Sequence, residues 1–413
     1  MQRLRLTMTA LLATAMLLVG GTATPALAQE KDDTIKVGIL HSLTGTMAIS
    51  ETSLRDVALM TIEEINAEGG VLGKQLEPVV IDPASDWDLF AESARELLLE
   101  HEVDVVFGCW TSVSRKAVLP VFEQHNGLLF YPVQYEGEEQ SPNIFYTGAT
   151  PIQQLIPAAK YLMSEDGGGF EKFYLLGTDY VFPRTANRIL KAYLLSEGVP
   201  EESIREEYTP FGHADYQSIV GRIRELAREG DTAVLSTING DSNVPFYREF
   251  ANQGLDPFEV PIMAFSVSED ELRAMEAEAL VGHLAAWNYF QSVDTPANEA
   301  FVQKFRDYAQ ENDLPGGSER VVNDPMEGTH FGIKVWAAAV EEVGTTDVDE
   351  VREAVLGMAF DAPGGPKKMH AENMHTWKPV YIGEILANGQ FEIIWESEGL
   401  VEPESYSSYL KDE

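Results

Sequence analysis

Short apolar runs, many of them β-branched, alternate with amphipathic stretches of about a dozen residues along most of the chain. This alternation constrains the fold more than any other feature. Thr34 to Leu40 (TIKVGIL) reads as a first strand, and Leu54 to Asn66 follows with apolar residues at helical spacing up to a stop at Glu68-Gly69-Gly70. Gln75 to Ile81 and Val103 to Phe107 read as the next strands, with a helix between them, and Gly127 to Tyr131 as another. Strand, helix, strand in this order requires right-handed crossovers and a parallel sheet. Lys172 to Gly177 then restarts the same layout. Strands are expected at Ile204 to Tyr208, Thr232 to Thr237 and Pro261 to Phe265, with helices at Tyr216 to Glu229 and Val244 to Gln253. A chain of 413 residues can bury two such cores.

The third quarter of the chain reads as a return to the first lobe. Leu284 to Gln291 looks like a connection, and Ala300 to Gln310, Thr329 to Val343 and Val348 to Gly357 carry helical patterns. FDAPGGPKKMH is a Pro/Gly-rich break that marks a last crossing. Val380 to Leu386 and Phe391 to Trp395 pair as a hairpin across Asn388-Gly389, and the acidic tail from Glu396 is expected on the surface. The expected division is a signal peptide over residues 1–28, one lobe from 34–149 plus 290–360, and a second from 150–289 plus 361–413. The leader reading rests on Arg3 and Arg5, the apolar run Leu11 to Val19, and Ala26-Leu27-Ala28 before Gln29. It implies export to the periplasm.

Charge narrows the partners. With 67 acidic against 29 basic residues the net charge is −38, which repels nucleic acid and anionic lipid. A salt-tolerant source is expected, and a thermal midpoint that failed to rise with salt would count against it. Cys109 is the only cysteine, so no intrachain disulfide can form, and it reads as a small buried residue.

Candidate binding residues cluster where strands end. After the run that stops at Gly108 come Thr111 and Ser112 at a helix start, where unpaired N–H groups point outward. After Tyr131 come Pro132, Gln134 and Tyr135. Tyr180 and Phe182 occupy the matching turn of the second lobe. In open parallel sheets small ligands bind at this edge of the strands. Asp241 and Glu327 could accept N–H bonds, against readings as a helix cap and a helix-terminus residue. Trp287 and Tyr289 read as crossover packing, and His370 and His375 as surface residues flanking a loop.

Other chemistries lack their residues. Gly69-Gly70-Val71-Leu72-Gly73 follows a helix rather than a strand, so it is no dinucleotide fingerprint, and no Walker A sequence occurs. Asp82, Asp86 and Asp88 lack the full spacing of a calcium loop and fit an acidic helix start. The eight histidines are scattered, with neither a His-Glu-x-x-His nor a Gly-x-Ser-x-Gly element. The expectation is a non-enzyme with no metal and no cofactor.

GCWTSVSRKAV, FYPVQYEGEEQSPNIFYTG, GTDYVFPRTAN, STINGDSN, AAWNYFQSVDTPA, NDPMEG and AFDAPGGP together resemble the urea-binding subunits of ABC importers. These belong to the branched-chain-amino-acid and amide group of periplasmic binding proteins. The resemblance spans roughly Ile35 to Trp395. It implies a type I periplasmic binding fold, with two Rossmann-like lobes joined by three crossovers and ligand held in the cleft as they close. It also implies nitrogen uptake by delivery to permease and ATPase subunits at the inner membrane, with a monomeric chain as the expected state. By position, Ser112, Tyr131 and Tyr180 match ligand contacts of the amide-binding relatives. Those relatives carry Pro-Thr-Pro where Pro132-Val133-Gln134 stands here, so one hydroxyl is lost and Gln134 is its expected replacement. Receptors for short-chain amides or branched-chain amino acids, and a periplasmic amide sensor, remain alternatives.

Overall fold

In a computed structural model, which describes residues 34–411, the alternation resolves into two sheets. The first half supplies β1 (Thr34–Leu40), β2 (Gln75–Ile81), β3 (Val105–Gly108), β4 (Leu129–Tyr131) and β5 (Ile144–Tyr146). They form a fully parallel sheet in the order β2-β1-β3-β4-β5. The inner strands β3 and β4 are buried throughout, whereas β2 is an edge strand and carries Pro78, which a central position would not tolerate. The second sheet takes β6 (Lys172–Thr178), β7 (Ile204–Thr209), β8 (Thr232–Thr237), β9 (Ile262–Ala264) and β10 (Leu284–Trp287). A small sheet of β11 (Ala359–Ala362), β12 (Gly365–Met369) and β13 (Thr376–Trp377) follows, and then β14 (Tyr381–Ile385) and β15 (Phe391–Glu396) complete the second sheet. Its order is β15-β14-β10-β9-β8-β6-β7, parallel except for the terminal hairpin.

Helices cover both sheets. They are α1 (Ala48–Ala67), α2 (Trp87–Leu99), α3 (Ser112–His125), α4 (Leu155–Met163), α5 (Val181–Ser196), α6 (Gln217–Ala227), α7 (Asn243–Asn252), α8 (Glu269–Leu272), α9 (Pro296–Glu311), α10 (Asp324–Val343) and α11 (Val348–Val355). The chain does return to the first sheet: α9 and α10 pack on α1, and α10 touches β3 and β4. What fixes α10 there is an aromatic ladder. Phe107, Phe130 and Phe145 lie side by side on adjacent strands, with ring centroids 5.2 and 4.9 Å apart, and Trp336 of α10 meets Phe107 edge-on.

Three expectations change. Leu284 to Trp287 is a strand paired with β9 and β14, so the crossing begins only at Asn288. The Pro/Gly-rich segment is not a break: Pro363-Gly364 turns β11 into β12. His375 is fully buried, its ring stacked on Tyr146 at 4.3 Å and 6°, and burial holds the imidazole down at about 3. The tail from Glu396 lies largely at the surface, as expected, and is tied down there: Val401 bridges Lys378, and the Glu139 amide donates to the Ser405 carbonyl. The leader expected over residues 1–28 lies outside the described residues. Among the described residues no helix is long and apolar enough to cross a membrane.

Candidate functional site

Each strand of interest ends in a residue that the next turn presents at one edge. At Gly108 a side chain could not be accommodated, since a Cβ would stand 2.4 Å from the Leu40 carbonyl oxygen. Cys109 then takes a left-handed φ of 64°, its amide donating to Leu40, and the chain turns into α3. Thr111 caps that helix, accepting from the Ser114 amide at 3.1 Å. Its hydroxyl is therefore engaged within the helix start.

Beside it lies a buried charge network. Ser112 Oγ donates to Glu136 Oε2 and accepts from Arg115 Nη1 at 3.1 Å. Arg115, itself without exposure, pairs with Glu136 at 3.2 Å and with Glu139 at 2.7 Å. Glu139 also accepts from Tyr146 and Lys116, and its carboxyl is held down at about 2, where Arg115 outweighs the upward push of burial. The guanidinium lies over Tyr131 and Tyr135, at 4.8 and 4.4 Å from the ring centroids. Tyr131 OH donates to the Trp110 carbonyl at 2.6 Å. Tyr135 is a backing residue, stacked on Tyr146 at 5.0 Å with its hydroxyl against His375.

A second network crosses from the other sheet. Tyr180 OH donates to Asn239 Oδ1 at 2.7 Å, and Asn239 Nδ2 donates to Ser266 Oγ at 2.6 Å. Gln134 Nε2 reaches the same Ser266 oxygen at 3.0 Å and the Phe265 carbonyl at 2.8 Å. Burial drives the Tyr180 phenol well above its ordinary range, Tyr131 and Glu136 add to that push, and Arg115 opposes it. Ser112, Tyr131, Gln134 and Tyr180 thus meet at one locus between the sheets. Beside it the rings of Tyr180, Phe211 and Trp87 follow one another at 4.9 and 5.5 Å, the last from the first sheet's α2.

Three expected contacts lie elsewhere. Phe182 is part of the second lobe's apolar core. Asp241 is exposed on a short turn, Gly240–Ser242, and caps nothing. Glu327 is buried in the crossover, where Lys367 and the Gly364 amide occupy its carboxylate. Trp287, at the end of β10, and Tyr289, in the crossing that follows, are buried too, donating to the Val267 carbonyl and to Asn298. Asp86 caps α2, and Asp82 closes the turn after β1 through the amides of Leu43 and Ala84. Sequence reasoning missed Arg115, Glu136, Asn239 and Ser266. Asn239 and Ser266 stand just past the ends of β8 and β9, a position that could have flagged them.

The hydroxyl protons decide the chemistry of the locus. Ser112, Tyr131 and Tyr180 each spend theirs inside the protein, so toward a ligand they offer oxygen lone pairs. Gln134 spends its amide nitrogen on a carbonyl, which fixes the orientation and leaves Oε1 buried with no donor among the described residues. The nearest buried cation, Arg115, is neutralised by two carboxylates.

Comparison with known proteins gives the same architecture. A family model described as a periplasmic binding protein domain matches residues 35–412. The chain is 25% identical over 365 residues to the Leu/Ile/Val-binding protein homolog 6 of Brucella melitensis, covering 86% of this chain and 88% of that protein. It is 24% identical to the leucine-, isoleucine-, valine-, threonine-, and alanine-binding protein of Pseudomonas aeruginosa, over 85% of this chain and 89% of that one. A solute-binding protein of an ABC transporter from Rhodopseudomonas palustris BisB5, in complex with 3,4-dihydroxybenzoic acid, superposes with a TM-score of 0.78 at 22% identity, covering 90% of this chain and 99% of that one. LivJ of Streptococcus pneumoniae, in complex with isoleucine, gives 0.74 at 19%, covering 90% and 100%.

Proposed function

The chain belongs to the periplasmic binding protein family, of the branched-chain amino acid and amide type, and from that premise we propose that it captures urea between its lobes for an ABC importer. Solute-binding proteins of ABC transporters share its fold, and the relatives that match most of its length are named as amino-acid-binding proteins. The lobes are assigned as 34–149 plus 290–360 and 150–289 plus 361–413, with urea at their junction. The observation that carries the choice of ligand is the inventory of free lone pairs. Hydroxyls and a side-chain carbonyl whose protons are all committed call for a guest rich in N–H donors, and urea has four. The aromatic acids and branched-chain amino acids named for the relatives carry a carboxylate, which would face the Ser112 and tyrosine oxygens beside Glu136 with no free cation. The Ser112 and Val113 amides at the start of α3 would take the urea carbonyl, since Thr111 holds those of Ser114 and Arg115 and the Ser112 hydroxyl has its proton on Glu136. Short-chain amides are the second reading, since they keep one –NH2 group.

Calorimetric titration of the mature protein tests this. With about four heavy atoms and a ceiling of roughly −1.5 kcal/mol per atom, urea should bind with a Kd on the order of tens of micromolar. Leucine and 4-hydroxybenzoate should give no heat. N-methylurea should bind at least about tenfold worse, because its methyl group displaces one donor. Tight binding of leucine, with urea silent, would remove the reading.

A further inference from the structure

One buried carboxylate next to this locus has an oxygen that meets no donor among the described residues. Glu51 lies in the first turn of α1, is fully buried, and accepts the Ser42 amide on Oε2 at 2.7 Å, which closes the turn after β1. Its other oxygen, Oε1, meets no donor among the described residues. His41, also fully buried, stands beside it: Nδ1 is 3.4 Å from Glu51 Oε2 without the alignment of a hydrogen bond, and neither ring nitrogen is partnered. An acceptor and an imidazole left this way are costly unless something else meets them.

The first turn of α1 borders both lobes. Ser50 donates across to Glu271 of the second lobe at 2.7 Å, and Thr46 and Met47 abut Gly240 at the end of β8. The turn that Glu51 closes also stands beside the α3 turn, since His41 and Ser42 follow Leu40, which pairs with Gly108 and accepts the Cys109 amide at 2.8 Å. Burial pushes the Glu51 carboxyl upward, and His41 and the Ser42 amide oppose that push. The group therefore sits at the junction, oriented by one contact and idle on its other side.

We propose that Glu51, flanked by His41, accepts the second –NH2 group of the guest and so sets the preference of this site for urea over a short-chain monoamide. The proposal rests on the reading above. A monoamide fills the Gln134 and tyrosine acceptors with its single –NH2 but sets a methyl or hydrogen against Glu51. A urea satisfies both sides. A shape-matched ligand lacking the group that a buried polar partner needs is the case in which discrimination is strongest.

The experiment compares urea with acetamide by calorimetry on the wild-type protein and on Glu51→Gln. Wild type should bind urea more tightly than acetamide. Glu51→Gln keeps an acceptor for Ser42 and turns –NH2 toward the ligand, so urea should lose about tenfold or more while acetamide changes little. The preference, not merely the affinity, should collapse. Equal losses for both ligands would mark Glu51 as structural and overturn the proposal, as would an unchanged urea affinity. If Glu51→Gln fails to fold by circular dichroism, Glu51→Asp, which keeps the charge but withdraws the oxygen, carries the same comparison with the same expected loss of preference. A wild type that binds urea and acetamide equally would sink this inference and leave the receptor reading standing. A wild type that binds neither would sink both.

Discussion

Tyr131 shows how a strand-end tyrosine serves packing and recognition together. It has no exposed surface, supports Arg115 on its ring face, and spends its proton on Trp110. Tyr131→Phe should therefore cost about 1 kcal/mol of stability, through the unpaired Trp110 carbonyl, and also weaken urea binding by removing one lone pair. Tyr131→Ala should cost about 3–5 kcal/mol and act mainly on folding. Urea-induced heat and thermal melting separate the two effects, and a Phe variant that melted and bound like wild type would show the hydroxyl to be idle. At this scale Ser112, Tyr131, Gln134 and Tyr180 could be grouped from the sequence because they stand at strand ends, a position that sequence pattern exposes. The role of Thr111 as a cap could not be told from a ligand-facing one, because the two hydroxyls have the same sequence signature. Glu51 was illegible, since a glutamate one turn into a helix takes its meaning from the neighbours that the fold brings to it.

Elements of the two lobes meet at several points, and one close approach is at Gly240. Its φ is +67°, and a Cβ there would lie 2.8 Å from the Thr46 carbonyl oxygen and 3.0 Å from the Met47 sulfur. Gly240→Ala should wedge the second lobe away from the start of α1, weakening urea binding severalfold while the melting temperature falls by only a few degrees. Small-angle scattering in saturating urea should show a larger radius of gyration than for wild type; an identical radius and affinity would mean that the contact gives way elsewhere. The order of strands and helices was largely readable, because period and length separate them. What was missed is short or paired late: β5 has three residues, β10 was hidden in an aromatic stretch, and β11 and β12 lie in a segment whose Pro and Gly residues resemble a loop.

For the molecule as a whole, buried titratable groups set opposing pH limits. Burial pushes His283, His330 and His375 down to about 3, 4 and 3. As pH falls below about 6.5 the unfolded chain takes up protons that these folded imidazoles refuse, so stability drops toward acid. Glu269 and Glu271 run the other way, lifted by burial to about 8 and about 7. There the folded state keeps protons that the unfolded chain has released above about 4.5, so stability falls as pH climbs through that window. Melting temperature should peak at roughly pH 6 and decline toward pH 8, with Glu271→Gln flattening the alkaline side. A melting temperature still climbing at pH 8 would contradict this.

The hairpin of β14 and β15 closes the second sheet from the far end of the polypeptide, and α9 and α10 reach the first sheet only after most of the second has been made. Neither half can therefore seal its interior while synthesis is under way. A nascent polypeptide built in this order stays threadable until it is almost finished, which suits one that must pass through a narrow channel before it folds.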